Sequence, residues 1–143
     1  MGIKFSILLI GTTLATLANA EDFVLECKST DRSRRIEIYE SADRVVVEVG
    51  DGVEIYNKYK TRTREKVSAS QYVTQVRKLD GISSQKIEFT DETEYIPGRS
   101  TFLAYSIDRQ SGIMTTTSTT LANTSNKREW RCEKIGVIKN KSF

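Results

Sequence analysis

The chain has 143 residues, a length suited to one hydrophobic core, and its 38% hydrophobic and 29% charged residues exclude a disordered chain and a multi-span membrane protein. Its 22 basic and 19 acidic residues give a net charge of +3, which is too small to imply a nucleic-acid partner. Because the chain contains no histidine, it lacks the usual general base at neutral pH and the commonest transition-metal ligand, and we predict no catalytic residues, no cofactor and no bound metal.

The first twenty residues have the pattern of a secretory signal peptide. Lys4 supplies a positive charge, residues 5–17 form an apolar run, and Ala18 and Ala20 place small residues where a signal peptidase cleaves. The apolar run is shorter than the roughly 20 residues that a membrane-spanning helix needs. We therefore predict a signal peptide over residues 1–20, export to the periplasm or the extracellular space, no membrane span, and a single β-rich domain over residues 21–143.

Cys27 and Cys132 are the only cysteines. An exported protein meets oxidising conditions, under which two cysteines are expected to form a disulfide. Their spacing matches no redox-active CxxC pair, and no histidine is present to lower the pKa of a thiol. We therefore predict a structural disulfide between the first and last strands, which also removes both thiols as nucleophiles.

Much of the chain alternates apolar and polar residues with the period of two that is typical of β-strands. Gly50 and Gly52 interrupt this alternation at a turn, so residues 44–60 are predicted to form a hairpin. With the segment around Cys27, the pattern predicts eight strands, the others lying at 34–40, 44–49, 53–60, 86–89, 101–107, 113–120 and 128–135. Eight short antiparallel strands separated by turns indicate a barrel or a sandwich.

The predicted facing of the cysteines favours the barrel. In an extended chain, Cys27 shares a face with Phe23 and Leu25, and Cys132 shares one with Trp130. Both sulfur atoms would then point toward the large apolar side chains. A buried disulfide between the first and last strands would close a barrel.

Residues 68–81 depart from the alternation. Ser68 and Gln71 have the spacing of a capping box, and apolar residues recur after it at helical intervals up to Leu79. We therefore predict one short helix near residues 69–80. A strand is the alternative, because several residues of this segment are β-branched, namely Val73, Thr74 and Val76.

One segment carries a basic residue at every second position, and we call this set the basic ladder: Lys58, Lys60, Arg62, Arg64 and Lys66. An extended chain would place all five on one face over roughly 26 Å. We interpret the ladder as a candidate anion-binding surface for a protein or for an anionic envelope component, such as lipid head groups or acidic glycan. Nucleic acid is disfavoured because only two tyrosines accompany the ladder. The alternative is a solvated strand face that protects an edge or is neutralised by acids at residues 88–94.

Two functions fit a small exported barrel of this kind. The ladder favours a non-catalytic interaction module, an inhibitor or binder of an anionic macromolecule or envelope component. The alternative is a carrier of a small apolar ligand in the barrel interior. The predicted inward side chains are large enough to fill a narrow barrel, which favours the interaction module: Phe23, Leu25, Ile36, Ile38 and Trp130.

Overall fold

The computed structural model describes residues 21–96 and 98–139, and the predicted signal peptide lies outside them. The described chain contains ten strands and a single-turn 3-10 helix at Glu40–Ala42, with no α-helix and no helix long and apolar enough to cross a membrane. The strands are β1 (Phe23–Lys28), β2 (Ser33–Tyr39), β3 (Arg44–Val49), β4 (Gly52–Asn57), β5 (Thr61–Lys66), β6 (Tyr72–Ile82), β7 (Lys86–Ile96), β8 (Arg99–Asp108), β9 (Ile113–Thr119) and β10 (Ser125–Val137).

The strands form one antiparallel sheet in the order β4-β3-β2-β1-β10-β9-β8-β7-β6-β5. The two edges of this described sheet are β4 and β5, which follow each other in sequence. The sheet curls until side chains of β4 contact those of β6 and β7. Arg77 of β6 lies 3.6 Å from Glu54 of β4, and the rings of Tyr56 and Phe89 are 4.6 Å apart between centroids. The result is a nearly closed barrel whose seam is joined by side chains.

The predicted disulfide is confirmed. Cys27 and Cys132 lie directly opposite each other on β1 and β10 and are covalently bonded. Cys27 is fully buried in the core together with Phe23 and Leu25, as their shared face predicted. The bond joins the first and last strands, which are neighbours in the middle of the sheet. It therefore does not close the barrel, because the seam lies at β4.

The prediction of eight strands is wrong, because β5 and β6 bring the described total to ten. The short helix predicted near residues 69–80 is also wrong, since this segment forms β6 and pairs with both β5 and β7. The apolar residues of β6 recur at helical intervals because both faces of this strand are buried. Val73 and Leu79 lie on the inner face, and Val76 lies on the outer one. Ser68 and Gln71, which have the spacing of a capping box, form a turn instead, in which the backbone N–H of Gln71 donates to Ser68 Oγ at 3.1 Å.

Inward-facing side chains from most of the strands form one core. It consists mainly of aliphatic residues, with three aromatic rings in mutual contact at one side, those of Tyr56, Phe89 and Tyr105. The stacked rings of Phe89 and Tyr105 have centroids 4.4 Å apart. This core fills the middle of the barrel, so open space is confined to its ends.

Candidate functional site

The structure places the five ladder residues in two groups. Lys58 and Lys60 lie in the connection between β4 and β5, whereas Arg62, Arg64 and Lys66 lie on β5 and face outward. All five are exposed to solvent. The guanidinium carbon of Arg64 lies 4.3 Å from the centroid of the Tyr72 ring, within the range of a cation–π contact.

No carboxylate lies within ion-pair distance of a ladder nitrogen anywhere in the described ranges. Glu92 and Glu94 share the outer face with the ladder, but they lie on β7, two strands away from β5, at about 10 Å. Asp91, also within the acidic segment considered from sequence, points inward and pairs with Arg77 at 3.3 Å. β6 therefore separates the ladder from Glu92 and Glu94, and solvent screens the attraction between these exposed or half-buried charges.

β5 is an unusually accessible strand. All six of its residues are exposed, although β6 beside it buries residues on both faces. β6 is its hydrogen-bonded neighbour on one side, and in the described sheet its other side has none. The backbone N–H and C=O groups on that side are available to another extended chain, and the outward face beside them is cationic.

A polar cluster lies at the seam, and we call it the seam cluster: Glu54, Tyr56, Arg77 and Asp91. Arg77 contacts Glu54 at 3.6 Å and Asp91 at 3.3 Å, and the Tyr56 hydroxyl donates to Glu54 at 2.8 Å. Burial raises the pKa of Asp91, Arg77 opposes that rise, and Glu54 adds to it. Burial likewise raises the pKa of Tyr56. Because one guanidinium serves two carboxylates across the seam, the cluster joins the two sides of the barrel.

A cavity of about 590 Å³ opens at the end of the barrel formed by the β1–β2 turn and the start of β10, and we call it the polar-end cavity. Most inward positions at this end carry basic or hydroxyl-bearing side chains, and Leu103 is the aliphatic residue of the described lining. Tyr105 and Trp130 form its buried floor, and Arg34 of β2 and Arg128 of β10 are half-buried in its wall. The Trp130 indole N–H donates to Thr116 Oγ1 at 3.0 Å, which fixes the orientation of the ring.

Sequence reasoning missed this cavity, because β2, which supplies Arg34, lies far along the chain from β8, β9 and β10, which supply most of the other lining residues. A signal was nevertheless present. Arg34 has the same facing as Ile36 and Ile38, and Arg128 has the same facing as Trp130, so each arginine continues an apolar inward face. A charge at an inward position near the end of a strand indicates a polar barrel opening.

A second cavity of about 230 Å³ lies at the opposite end, and its lining combines apolar side chains, such as Phe23, Leu25 and Ile107, with charged ones, such as Arg109 and Lys134. Its volume is below the roughly 300 Å³ at which small-molecule pockets begin. Within residues 21–96 and 98–139, no group of three or more cysteine, aspartate or glutamate side chains is arranged to hold a metal ion.

Comparisons of the chain with protein-family models, curated proteins and solved structures gave no match. The function therefore has to be argued from the geometry of the barrel.

Proposed function

We propose that the protein is an exported, non-catalytic interaction module whose β5 edge binds an acidic extended segment of a partner protein. One observation carries the proposal: an exposed strand with an unpaired edge in the described sheet presents cations at alternate positions with no acid in ion-pair contact. The connection before β5 extends the same charge to Lys58 and Lys60. Export rests on the signal peptide predicted from the sequence.

The spacing of the ladder matches the geometry of strand addition. When a strand pairs with β5, each of its residues lies opposite one residue of β5, and both side chains of a pair point to the same face. An added chain with acidic residues at every second position therefore places one carboxylate opposite each of Arg62, Arg64 and Lys66. Main-chain hydrogen bonds supply affinity in this arrangement, and the charge pattern supplies specificity.

Other occupants use less of this surface. Lipid head groups and acidic glycans are attracted by positive charge, but neither forms hydrogen bonds in register with a strand edge. The alternative of an apolar-ligand carrier is disfavoured because the second cavity is small, while the larger cavity has Arg34 and Arg128 in its wall.

The test uses two peptides of about eight residues, long enough to span β5. One alternates glutamate and threonine, and the other has the same composition with its glutamates in one block. We expect the alternating peptide to bind more tightly, with an affinity that falls as salt is added. Arg62→Glu combined with Arg64→Glu should weaken binding at least about tenfold, because two cross-strand attractions become repulsions.

Lys28 and Arg131 provide the matched control. They are exposed and lie opposite each other on β1 and β10, in the middle of the sheet, where no edge is free. Lys28→Glu combined with Arg131→Glu makes the same change in charge and should leave peptide binding unchanged. Equal affinity for the two peptides would contradict strand addition. If the protein binds vesicles containing phosphatidylserine, or heparin, but neither peptide, that result would also contradict it.

A further inference from the structure

The polar-end cavity concentrates positive charge inside the barrel. Arg32, Arg34, Lys127 and Arg128 line it, and no carboxylate does so among the described residues. Asp31 lies outside this lining and pairs with Arg128 at 2.7 Å, but its side chain is 67% exposed, so water weakens the neutralisation. Arg34 is half-buried and makes no ion pair with a described acid.

Arg34 and Arg128 converge on one aromatic ring. Their guanidinium carbons lie 6.0 Å and 5.9 Å, respectively, from the centroid of the Trp130 ring. They reach it from different strands, β2 and β10. An anion bound beside this ring would be attracted by both charges. Guanidinium groups bind carboxylate and phosphate oxygens through two parallel hydrogen bonds, which makes them suited to such an anion.

The rest of the cavity fits a ring. Tyr105 and Trp130 close the floor, and because each is less than 5% exposed they present only ring edges to the cavity, whereas the half-buried Leu103 adds apolar surface to the wall. Thr116 and Ser118 add hydroxyl groups to the wall. The volume of about 590 Å³ lies within the usual range for small-molecule sites.

We infer that the polar-end cavity binds a small ring-bearing organic anion, whose carboxylate or phosphate contacts Arg34 and Arg128 and whose ring packs against Leu103 above the floor formed by Tyr105 and Trp130. This site is separate from the β5 edge and does not depend on the function proposed for it. The ring can be aromatic or that of a sugar acid, because both present an apolar face and a charged group.

Trp130 is the only tryptophan in the chain, so its fluorescence reports directly on the cavity floor. Phenyl phosphate and glucuronate are titrated beside their neutral counterparts, phenol and glucose, and beside inorganic phosphate. We expect at least one ring-bearing anion to change the Trp130 emission saturably with one site per chain, at concentrations at which its neutral counterpart and inorganic phosphate have no effect. Binding of phenyl phosphate alone would assign an aromatic ring, and binding of glucuronate alone would assign a sugar ring.

Arg34→Gln should weaken this binding at least about tenfold, since it removes one of the two guanidinium groups that hold the anion. Because Arg34 makes no ion pair with a described acid, the substitution breaks none, so the variant should fold, and its thermal unfolding should show that it does. Arg131→Gln is the matched control: it removes the same charge from an exposed position of β10 and should bind as the parent does. The inference is overturned if neither anion binds, if inorganic phosphate binds as tightly as they do, or if Arg34→Gln leaves the affinity unchanged.

Discussion

At the scale of single residues, Arg77 shows how a charge can serve as a packing element. It reaches from β6 to Glu54 on β4 and Asp91 on β7, and its side chain is only 18% exposed. An ion pair in such a position gains little over apolar packing, but breaking it leaves charges without a partner. The importance of Arg77 therefore lies in the two carboxylates that it holds.

Arg77→Met should lower the free energy of unfolding by about 3 kcal/mol, because Glu54 and Asp91 would remain partly buried without a cation. Urea denaturation measures the loss. The triple variant that adds Glu54→Gln and Asp91→Asn removes the orphaned charges and should recover most of it. If the single variant is as stable as the parent, the seam cluster does not hold the barrel together.

Asp91 and Asp108 should give opposite pH dependences of stability. Burial raises the pKa of Asp91 above its usual 3.8, so the folded protein binds this proton more tightly than the unfolded chain does. The stability it contributes is complete below pH 3.8 and is lost as pH rises through the raised value. Backbone hydrogen bonds from Ser111 and Gln110 lower the pKa of Asp108, so its contribution is present above pH 3.8 and is lost as pH falls.

The comparison of each asparagine variant with the parent isolates these two effects from the other carboxylates. The stability difference between the parent and Asp91→Asn should shift in favour of the parent as pH falls toward 3.8. The difference between the parent and Asp108→Asn should shift against the parent as pH falls below 3.8. Thermal unfolding at a series of pH values measures both. Slopes of the same sign would show that one of the two environments is misassigned.

At the scale of elements, the hairpin predicted at 44–60 forms over residues 44–57, and its strands, like β2, could be predicted because the buried residues of each lie on one face. β6 could not, since a strand buried on both faces loses its period of two. The register of β6 against β7 also shifts between Leu79 and Gly81, which a pattern of apolar residues does not reveal. The basic ladder was visible in the sequence, whereas the split of the ladder between a connection and β5 depends on where the strand begins.

The β8–β9 turn depends on a glycine. Gly112 has a φ of +73°, and a Cβ added there would lie 3.0 Å from the carbonyl oxygen of Cys132. Gly112→Ala should therefore destabilise the protein by about 2 kcal/mol, through backbone strain together with this contact. Gly50 has a φ of +57° with no atom within 4 Å of an added Cβ, so Gly50→Ala should carry the backbone cost alone and be milder. Chemical denaturation compares the two, and equal losses would show that the Cys132 contact is harmless.

At the scale of the whole molecule, the order of the strands in the sheet differs from their order in the sequence. The ends of the described chain meet in the middle of the sheet, and two consecutive strands form its edges. The polar-end cavity draws on β2, β8, β9 and β10, so its arginines become neighbours only after β1 has paired with β10. A local pattern such as the ladder can be recognised from sequence, but a site assembled from distant strands requires the register of the entire sheet.

The same layout gives the disulfide a role in the stability of the whole barrel. Strands β1 to β4 are joined to the rest of the described sheet by the β1–β10 pairing, and the seam cluster is a second junction. The bond between Cys27 and Cys132 spans 105 residues and reinforces the first junction. In the chain-entropy description, a loop of this length restricts the unfolded chain by roughly 4.7 kcal/mol.

Replacing both cysteines by alanine should therefore lower the free energy of unfolding by about 4 kcal/mol. Urea denaturation of the double variant measures this loss, and the parent in the presence of a reductant should show a similar one. As a control, thiol titration of the unfolded, unreduced parent should detect no free thiol. A double variant as stable as the parent would mean that strand pairing alone holds β1 against β10, and that the covalent link adds nothing to the stability of this junction.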